Sequence, residues 1–191
     1  MAGRAGAGGR RDRQTQRTRR ALRDAFLALL IERGFDEVGV REICERADVG
    51  RSTFYMHFES KQALLDGSLD DLREELRRQA ATSNEPTSVL AFARGLIVHV
   101  HEQRRLFRAV IGRRSGHVVQ ARFRAMVHEL VQDNFSSFVR AGWQRDAASH
   151  FVSGAIVQTL AWWVDAKPLV SAEAVEELLF QFTTEIVQQL S

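Results

Sequence analysis

Helix-breaking residues are nearly absent from most of this chain, and that feature restricts its fold most strongly. Pro86 and Pro168 are the only prolines, and four of the 13 glycines lie in the first ten residues. Proline removes a backbone donor and clashes with the preceding helical turn, so long stretches without it favour uninterrupted helices. No stretch of useful length alternates between apolar and polar residues as a strand would. We therefore predict an all-α fold of about nine helices.

Composition narrows the class of protein further. Hydrophobic residues make up 45% of the 191 residues, enough to build a real core. Cys44 is the only cysteine, which excludes an intrachain disulfide and a cysteine-based zinc site. The first residues lack the apolar stretch of a secretory signal, and the apolar stretch 155–164 is interrupted by Gln158 and too short to span a bilayer. We predict a cytoplasmic protein with no membrane partner, no metal and no cofactor.

Positive charge is concentrated at the start of the chain. Residues 1–23 contain eight arginines and a single acid, Asp12, although the whole chain has a net charge of only +3. A basic arm on a mildly acidic body suits contact with a polyanion at one end. We predict that residues 1–13 form a disordered basic arm. Arg10 to Arg20 would then lie along a minor groove or a phosphate backbone, or the arm is an unstructured extension that contacts nothing.

The spacing of apolar residues predicts where the helices lie. A first helix begins at about Gln14, buries a stripe that includes Leu22 and Phe26, and ends at Gly34 in a left-handed conformation. Two short helices follow, joined by a tight turn in which Asp48 or Gly50 is left-handed. Ser60 caps a long fourth helix that ends at about residue 81. A loop follows at 82–86, and further helices are predicted near 86–102, 104–111, 117–141, 147–166 and 172–190.

The two short helices form a helix-turn-helix between about Glu37 and Phe58. One side of the pair is apolar and is predicted to be buried: Val40, Ile43, Cys44, Ala47, Val49, Phe54 and Phe58. The other side is mostly polar and points largely outward: Arg41, Arg51, Ser52, Thr53, Tyr55, Met56 and His57. Such side chains suit DNA, because arginine can make a bidentate contact to guanine and hydroxyl groups bond to base edges and phosphates.

The segment from Gly34 to Leu65, GFDEVGVREICERADVGRSTFYMHFESKQALL, resembles the DNA-binding signature of the TetR family of regulators. The resemblance implies that four residues face bases: Arg41, Arg51, Ser52 and Thr53. It implies that Tyr55 and His57 hold phosphates and that Lys61 meets the DNA backbone. Bare backbone N–H groups at the helix starts, at Gly39 and Gly50, can still bind an anion. Gly39 and Gly50 replace the hydroxyl residues that usually begin the two helices, and Asp48 replaces a glycine. These departures predict weaker binding or a different operator.

The domain organisation follows from this motif. Residues 14–60 are predicted to be the DNA-binding domain, and residues 61–191 a helical ligand-binding and dimerisation domain. One motif reads only one half-site, so a homodimer on a double-stranded DNA operator is expected. The last two helices would form the dimer interface through apolar stripes with these members: Phe151, Ala155, Thr159, Trp163, Leu178 and Phe182. The alternative is that both stripes pack inside one protomer.

Large or soft side chains in the middle helices are candidates for a ligand pocket: Phe92, Leu96, His99, Phe107, Phe123, Met126 and Trp162. Such residues at helical spacing also serve as ordinary core. No enzyme is predicted, because His99 and His101 lie two residues apart and point in different directions, unlike zinc ligands four residues apart. His128 has no second histidine at metal-ligand spacing, and no phosphate-binding glycine loop follows a strand.

These features predict a DNA-binding transcriptional regulator, a repressor that an unidentified small-molecule effector releases from its operator. The alternative is a helical ligand-binding co-activator of the same fold without specific DNA binding, which the losses at Gly39 and Gly50 would favour.

Overall fold

The computed structural model describes residues 5–82, 90–112, 116–167 and 170–190, without the side chains of 5–11 and 190. Within these ranges the chain forms nine helices and no strand, which confirms the all-α prediction. The helices are α1 (Ala5–Arg33), α2 (Val40–Ala47), α3 (Arg51–His57), α4 (Lys61–Thr82), α5 (Ala93–Glu102), α6 (Arg104–Ile111), α7 (His117–Phe135), α8 (Trp143–Asp165) and α9 (Ala172–Leu190). They form two compact units, one ending at Ser68 and the other beginning at Leu69.

The first unit is built on the apolar stripe of α1. Its members, all buried, are Leu22, Phe26, Leu29 and Leu30. Phe26 meets the edge of Phe35 in a T-shaped contact with ring centroids 6.2 Å apart. Gly34 ends α1 with φ of 83°, as predicted, and its N–H donates to the carbonyl oxygen of Leu30 at 3.0 Å. Only glycine adopts this backbone conformation without steric cost, so α1 ends at a defined residue.

The predicted disorder of residues 1–13 is wrong for residues 5–13, because α1 already begins at Ala5. Residues 1–4 lie outside the described part of the chain. Once a helix is nucleated by packing, each added residue brings a backbone hydrogen bond without a new nucleation cost. Alanine and arginine in this segment favour helix, whereas its three glycines, Gly6, Gly8 and Gly9, disfavour it, and α1 nevertheless extends to Ala5. The sequence had suggested a coil because this Gly/Ala/Arg stretch shows no helical periodicity.

The boundary between the units lies later than residue 60, where the sequence had placed it. Ser60 caps α4 as predicted, since its Oγ accepts the N–H of Ala63 at 3.1 Å. The first two turns of α4 belong to the first unit because Leu64 and Leu65 are buried in its core. The helix itself is continuous through Thr82. A helix cap marks where an element begins, and only burial shows which core that element joins.

The second unit contains the rest of α4 and helices α5 to α9. Its core includes Leu96, Phe123, Phe135 and Leu160, all fully buried. Arg104 and Arg108 of α6 donate to the last carbonyl oxygens of α8, those of Trp163 and Val164, at 2.5 Å and 2.7 Å. The carbonyl oxygen of Trp163 also accepts the backbone N–H of Ala166, which follows the helix, at 3.2 Å. The two guanidinium groups thus join the end of α8 to α6.

The helix boundaries of the second unit agree with the sequence in part. The prediction is confirmed for α6 and α9. Helix α7 ends at Phe135 rather than near 141, and the turn that follows brings Val139 back into the core. Helix α8 begins at Trp143 rather than near 147, directly after Gly142, which has φ of 153°. The predicted loop at 82–86 and the start of the helix after it fall mainly on residues 83–89, outside the described ranges.

No helix in the described part of the chain is both long and apolar enough to cross a membrane.

Candidate nucleic-acid interface

Helices α2 and α3 meet in the tight turn that the sequence predicted. Asp48 is its left-handed residue, with φ of 53° and ψ of 47°, whereas Gly50 has φ of −70° and ψ of 150°. The N–H of Val49 donates to the carbonyl oxygen of Cys44 at 3.0 Å, which closes the end of α2. Aspartate tolerates the left-handed region better than most residues, so it can stand where glycine is usual. The turn therefore forms despite this departure.

Two ion pairs hold α2 against the end of α1. Arg46 donates to both carboxylate oxygens of Glu32, at 3.0 Å and 2.8 Å. Arg33 pairs with Glu42, which also accepts the backbone N–H of Gly39 at 3.0 Å. The hydrogen bond from Arg46 lowers the pKa of Glu32, and the Gly39 N–H lowers the pKa of Glu42. Both carboxylates are thus charged at neutral pH and orient α2.

The two faces of α3 differ sharply in burial. Phe54 and Phe58 lie in the core with ring centroids 6.0 Å apart. The opposite face is exposed and carries Arg51, Ser52, Tyr55 and Met56, while Thr53 and His57 are half-buried at its flank. On α2, Arg41 is exposed and pairs with Glu45 at 3.1 Å. A guanidinium in an exposed pair of this kind can exchange its carboxylate for a phosphate or a base at little cost.

Lys61, for which the resemblance implied a contact with the DNA backbone, makes hydrogen bonds within the protein in this structure. Its ammonium group donates to the carbonyl oxygens of Phe35, Asp36 and Val38 at 2.8, 3.4 and 2.9 Å, and lies 4.5 Å from the centre of the Phe35 ring. A lysine ammonium has three N–H donors, and all three are used here. In this structure Lys61 therefore braces the connection between α1 and α2, and its contact with the DNA backbone stays a prediction.

Neither helix of the motif has a side-chain cap. Gly39 and Gly50 both stand at N-cap positions with extended backbone and no side-chain hydrogen bond. Glu42 compensates at Gly39 by accepting its N–H. At Gly50 no described side chain caps the start of the helix, so α3 begins with backbone N–H donors that have no side-chain acceptor.

One exposed residue of α3, Met56, was not singled out as a site residue from the sequence. Met56 lies one turn after Ser52 at the centre of the exposed face of α3 and is 73% exposed. A thioether there can contact a thymine methyl group. Arg19 of α1 lies over the ring of Phe58, with its guanidinium carbon 4.8 Å from the ring centre. An apolar residue in a polar, outward-facing stretch was the available signal for Met56. Arg19 falls within the segment from Arg10 to Arg20 that the sequence had placed along a minor groove or a phosphate backbone.

The residues predicted for the dimer interface divide into two groups in the second unit. One group is accessible: Thr159 is half-buried, and the exposed members are Phe151, Ala155, Leu178 and Phe182. The prediction is wrong for Trp163, because it is fully buried and its indole N–H donates to the carbonyl oxygen of Val170 at 2.8 Å. Two tryptophans of α8 not assigned to this face, Trp143 and Trp162, are exposed at helical spacing with Phe151. The apolar outer face of α8 thus includes Trp143, Phe151 and Ala155, whereas Trp162 lines the cavity described below.

The residues predicted for a ligand pocket are mostly packed core. Leu96, Phe107, Phe123 and Met126 are buried, and the rings of Phe107 and Phe123 touch edge to face with centroids 5.7 Å apart. His99 meets Phe107 in the same way at 5.6 Å, and its burial lowers the pKa of its imidazole. Phe92 lines a small hollow of about 210 Å³. Only Trp162 of this set lines the larger cavity described next.

That cavity lies in the second unit among α6, α7 and α8 and has a volume of about 760 Å³. Its wall is partly apolar, with Ile111, Val157, Ala161 and Trp162, and partly charged, with Arg108, Arg124 and Asp165. This volume is within the range of small-molecule sites, roughly 300–1,000 Å³.

Comparisons with known proteins identify the motif. A family model described as bacterial regulatory proteins, tetR family, matches residues 22–67. The tetracycline repressor protein class G of Vibrio anguillarum is 30% identical over 170 residues, which cover 81% of this chain and 77% of that repressor. This chain belongs to the TetR family of transcriptional regulators.

Other similarities agree with the family. The uncharacterized HTH-type transcriptional regulator YxbF of Bacillus subtilis (strain 168) is 24% identical over 178 residues, covering 86% of this chain. The chain spans only 44% of the length of that relative. The crystal structure of a TetR transcriptional regulator from Streptococcus agalactiae 2603V has a TM-score of 0.70 and 24% identity, and the match covers 92% of this chain and 98% of that one. This likeness shows that the fold extends beyond the DNA-binding helices.

Proposed function

We propose that this chain is a cytoplasmic repressor that binds a double-stranded DNA operator as a homodimer and is released by a small-molecule ligand. The observation that carries the proposal is the exposed face of α3, which presents Arg51, Ser52 and Tyr55. A tight turn joins α3 to α2, and the ion pair between Arg46 and Glu32 holds α2 against α1. Regulators of this family bind DNA and small-molecule effectors and are generally not enzymes.

The contacts to DNA divide by the chemistry of the side chains. We assign base contacts to Arg41, Arg51, Ser52 and Thr53, because guanidinium and hydroxyl groups discriminate base edges in the major groove. Tyr55 and His57, at the flanks of α3, suit phosphate oxygens. The uncapped N–H groups after Gly50 add donors at the start of the helix. Met56 lies between these groups and adds an apolar contact.

A second copy of the chain is the occupant that we assign to the outer face of α8 and α9. Trp143 and Phe151 are 75% and 66% exposed on α8, and Leu178 and Phe182 are exposed on α9. Large aromatic residues exposed in a row mark an interaction surface. Gly154 faces open space, since a β-carbon there would have no neighbour within 4 Å, so a partner helix can approach closely. A two-fold axis buries the same face of both copies and doubles the number of reading helices.

Release by a ligand requires that the ligand bind two conformations differently. The cavity among α6, α7 and α8 is the site that we assign to the ligand, in place of the packed residues around Phe107 and Phe123. Helix α4 begins in the first unit and continues into the second, so a change in its tilt is the route that we assign from the cavity to α3.

A fluorescence-anisotropy titration of the DNA upstream of the chain's own gene tests the proposal at two salt concentrations. Binding that is both selective over scrambled DNA of the same composition and weakened by salt supports the repressor. Equal affinity for both DNA molecules contradicts it. The alternative is then favoured, a ligand-binding co-activator of the same fold, for which the missing caps at Gly39 and Gly50 are the specific observation.

Light scattering of the purified chain tests the dimer. We expect twice the mass of one chain for the unaltered protein and for Phe180→Glu, since Phe180 is exposed on a different side of α9 from Leu178 and Phe182. We expect a single-chain mass for Phe151→Glu, because it places a charge in the middle of the apolar face. A dimer that survives Phe151→Glu would contradict the assigned interface.

A further inference from the structure

The cavity among α6, α7 and α8 has an uneven distribution of charge that restricts its ligand. Two guanidinium groups, those of Arg108 and Arg124, and one carboxylate, that of Asp165, line it. Gln120 and Gln158 add neutral amides. The wall therefore has one positive charge more than it has negative charges.

The carboxylate is already neutralised by one of the arginines. Nε of Arg108 donates to Oδ1 of Asp165 at 3.1 Å, while Nη2 of the same guanidinium donates to the carbonyl oxygen of Val164 at 2.7 Å. Arg108 and Asp165 thus form a pair that is tied to the end of α8. A cationic ligand would have to compete with Arg108 for Asp165, so this carboxylate is a poor site for it.

Arg124 is in a different situation. It projects from α7 at the wall of the cavity and is exposed, and no ion pair to it exists among the described residues. An arginine next to an apolar wall favours an anion, because a guanidinium holds a carboxylate through two parallel N–H···O bonds.

The rest of the cavity wall is apolar and indicates the chemistry of the other end of the ligand. Ile111 and Val157 are buried, and their side chains together with Ala161 form an apolar surface. Trp162 adds an aromatic indole to this wall. Aromatic rings pack well on such faces in stacked or edge-to-face contacts.

We propose that the cavity binds a monoanion with a flat apolar body, such as an aromatic carboxylate, whose anionic group is held by Arg124. This inference rests on the proposed ligand-released repressor and names the class of its ligand. Both members of the Arg108–Asp165 pair stay together when the ligand binds. Trp162 and the aliphatic wall hold the ring.

Isothermal titration calorimetry of the full chain tests the class of ligand. The probes are benzoate, 2-naphthoate and 9-anthroate, each with its primary amide, and 2-naphthylmethylammonium as the cation. We expect at least one carboxylate to bind about tenfold or more tightly than its amide, because a charge-assisted hydrogen bond exceeds a neutral one by about this factor. The ammonium compound is expected to bind more weakly than either.

Arg124→Gln provides the residue-specific test. We expect it to abolish the preference for carboxylate over amide while the affinity for the amide stays the same, which shows that the cavity is still folded. Arg105→Gln is the matched control, since Arg105 is an exposed arginine of α6 that does not line the cavity, and it should keep the preference.

Three outcomes would overturn the inference: no carboxylate binds, the amides bind as tightly as the carboxylates, or Arg124→Gln keeps the preference. If amides bind and release the DNA, the ligand-released repressor still stands and only the anionic class fails. Absence of selective DNA binding, measured in the separate anisotropy titration, would instead refute the repressor itself.

Discussion

The ammonium of Lys61 donates to the carbonyl oxygen of Phe35 at 2.8 Å and lies over the ring of the same residue. The two residues are 26 positions apart in the sequence. This contact connects the start of α4 to the segment between α1 and α2. The TetR resemblance implied instead that Lys61 binds the DNA backbone, and the two roles have different consequences for a variant.

Lys61→Met is expected to lower the free energy of unfolding by about 1–3 kcal/mol, because three carbonyl oxygens lose a charged donor. The slope of log K for DNA binding against log salt should stay the same. Urea unfolding and anisotropy titrations measure the two quantities, and Gln62→Met, at the exposed neighbouring position, is the control. A slope smaller in magnitude by about 0.9 with unchanged stability would show that Lys61 contacts phosphate after all.

Arg51→Ala is expected to relax the choice of operator. A bidentate arginine contact to guanine is worth about 1–3 kcal/mol of discrimination, so one position of the selected sequence should lose its preference. Selection from a randomised operator library measures this change. Arg105→Ala, an exposed arginine in the second unit, should select the same sequence as the unaltered protein. If Arg51→Ala also selects that sequence, Arg51 does not read a base.

The basic segment of α1 is expected to contribute affinity without sequence preference. Arg13, Arg17 and Arg20 lie at helical spacing on one side of α1 and are exposed. Arg17→Gln should reduce the magnitude of the salt slope by about 0.9 and leave the selected operator unchanged, as for the loss of one phosphate contact. Arg140→Gln, an exposed arginine of the second unit, is the control. An unchanged slope for Arg17→Gln would mean that the arm contacts no DNA.

Two glycine-to-serine changes are expected to act in opposite directions. Gly50→Ser places a hydroxyl at the N-cap of α3, where φ is −70° and the nearest atoms are 3.7 Å and 3.8 Å from a β-carbon. It should stabilise the protein by about 0.5–1 kcal/mol. Gly34→Ser should destabilise it by about 1–2 kcal/mol, because φ is +83° there. Thermal unfolding of both variants measures the signs, and equal signs would contradict the backbone argument.

His99 is expected to make the protein less stable in mild acid. Burial lowers the pKa of its imidazole in the folded state, so the unfolded chain binds a proton more readily. The stability associated with neutral His99 is therefore present above about pH 6.5 and is lost as the pH falls through the lowered pKa. Urea unfolding at pH 7.5 and 5.5 should show a smaller loss for His99→Gln than for the unaltered chain. His117→Gln, at an exposed position, should not reduce the loss.

The helices and the reading motif could be predicted because their signals are local. The apolar spacing from Leu22 to Leu30, the left-handed Gly34 and the cap at Ser60 all act within a few residues, and the structure confirms each. Asp48 has the left-handed conformation that the short turn between the two helices requires. The arrangement of the exposed side chains of α3 follows from the same periodicity, since Phe54 and Phe58 must face the core.

The cavity and the role of Lys61 could not be predicted in this way. Arg108, Arg124 and Asp165 come from three helices, and only packing brings them to one wall. The TetR resemblance placed Lys61 at the DNA backbone, and nothing in the sequence around Lys61 indicates its hydrogen bonds to the carbonyl groups of residues 35–38. Phe107 and Phe123 looked like pocket residues because a packed ring and a pocket-lining ring have the same spacing on a helix.

By itself the sequence determined that the chain is all-α, that its helix-turn-helix exposes Arg51 and Ser52, and that it belongs with the TetR regulators. Tertiary structure alone decided between Trp162 and Trp163. The sequence assigned Trp163 to the dimer face and Trp162 to the pocket, yet Trp163 is 0% exposed and Trp162 is 53% exposed and lines the cavity. Helix α8 is apolar on nearly every side in this region, so the spacing of its apolar residues does not predict which face is buried. Which of two adjacent tryptophans is buried depends on where the neighbouring helices pack.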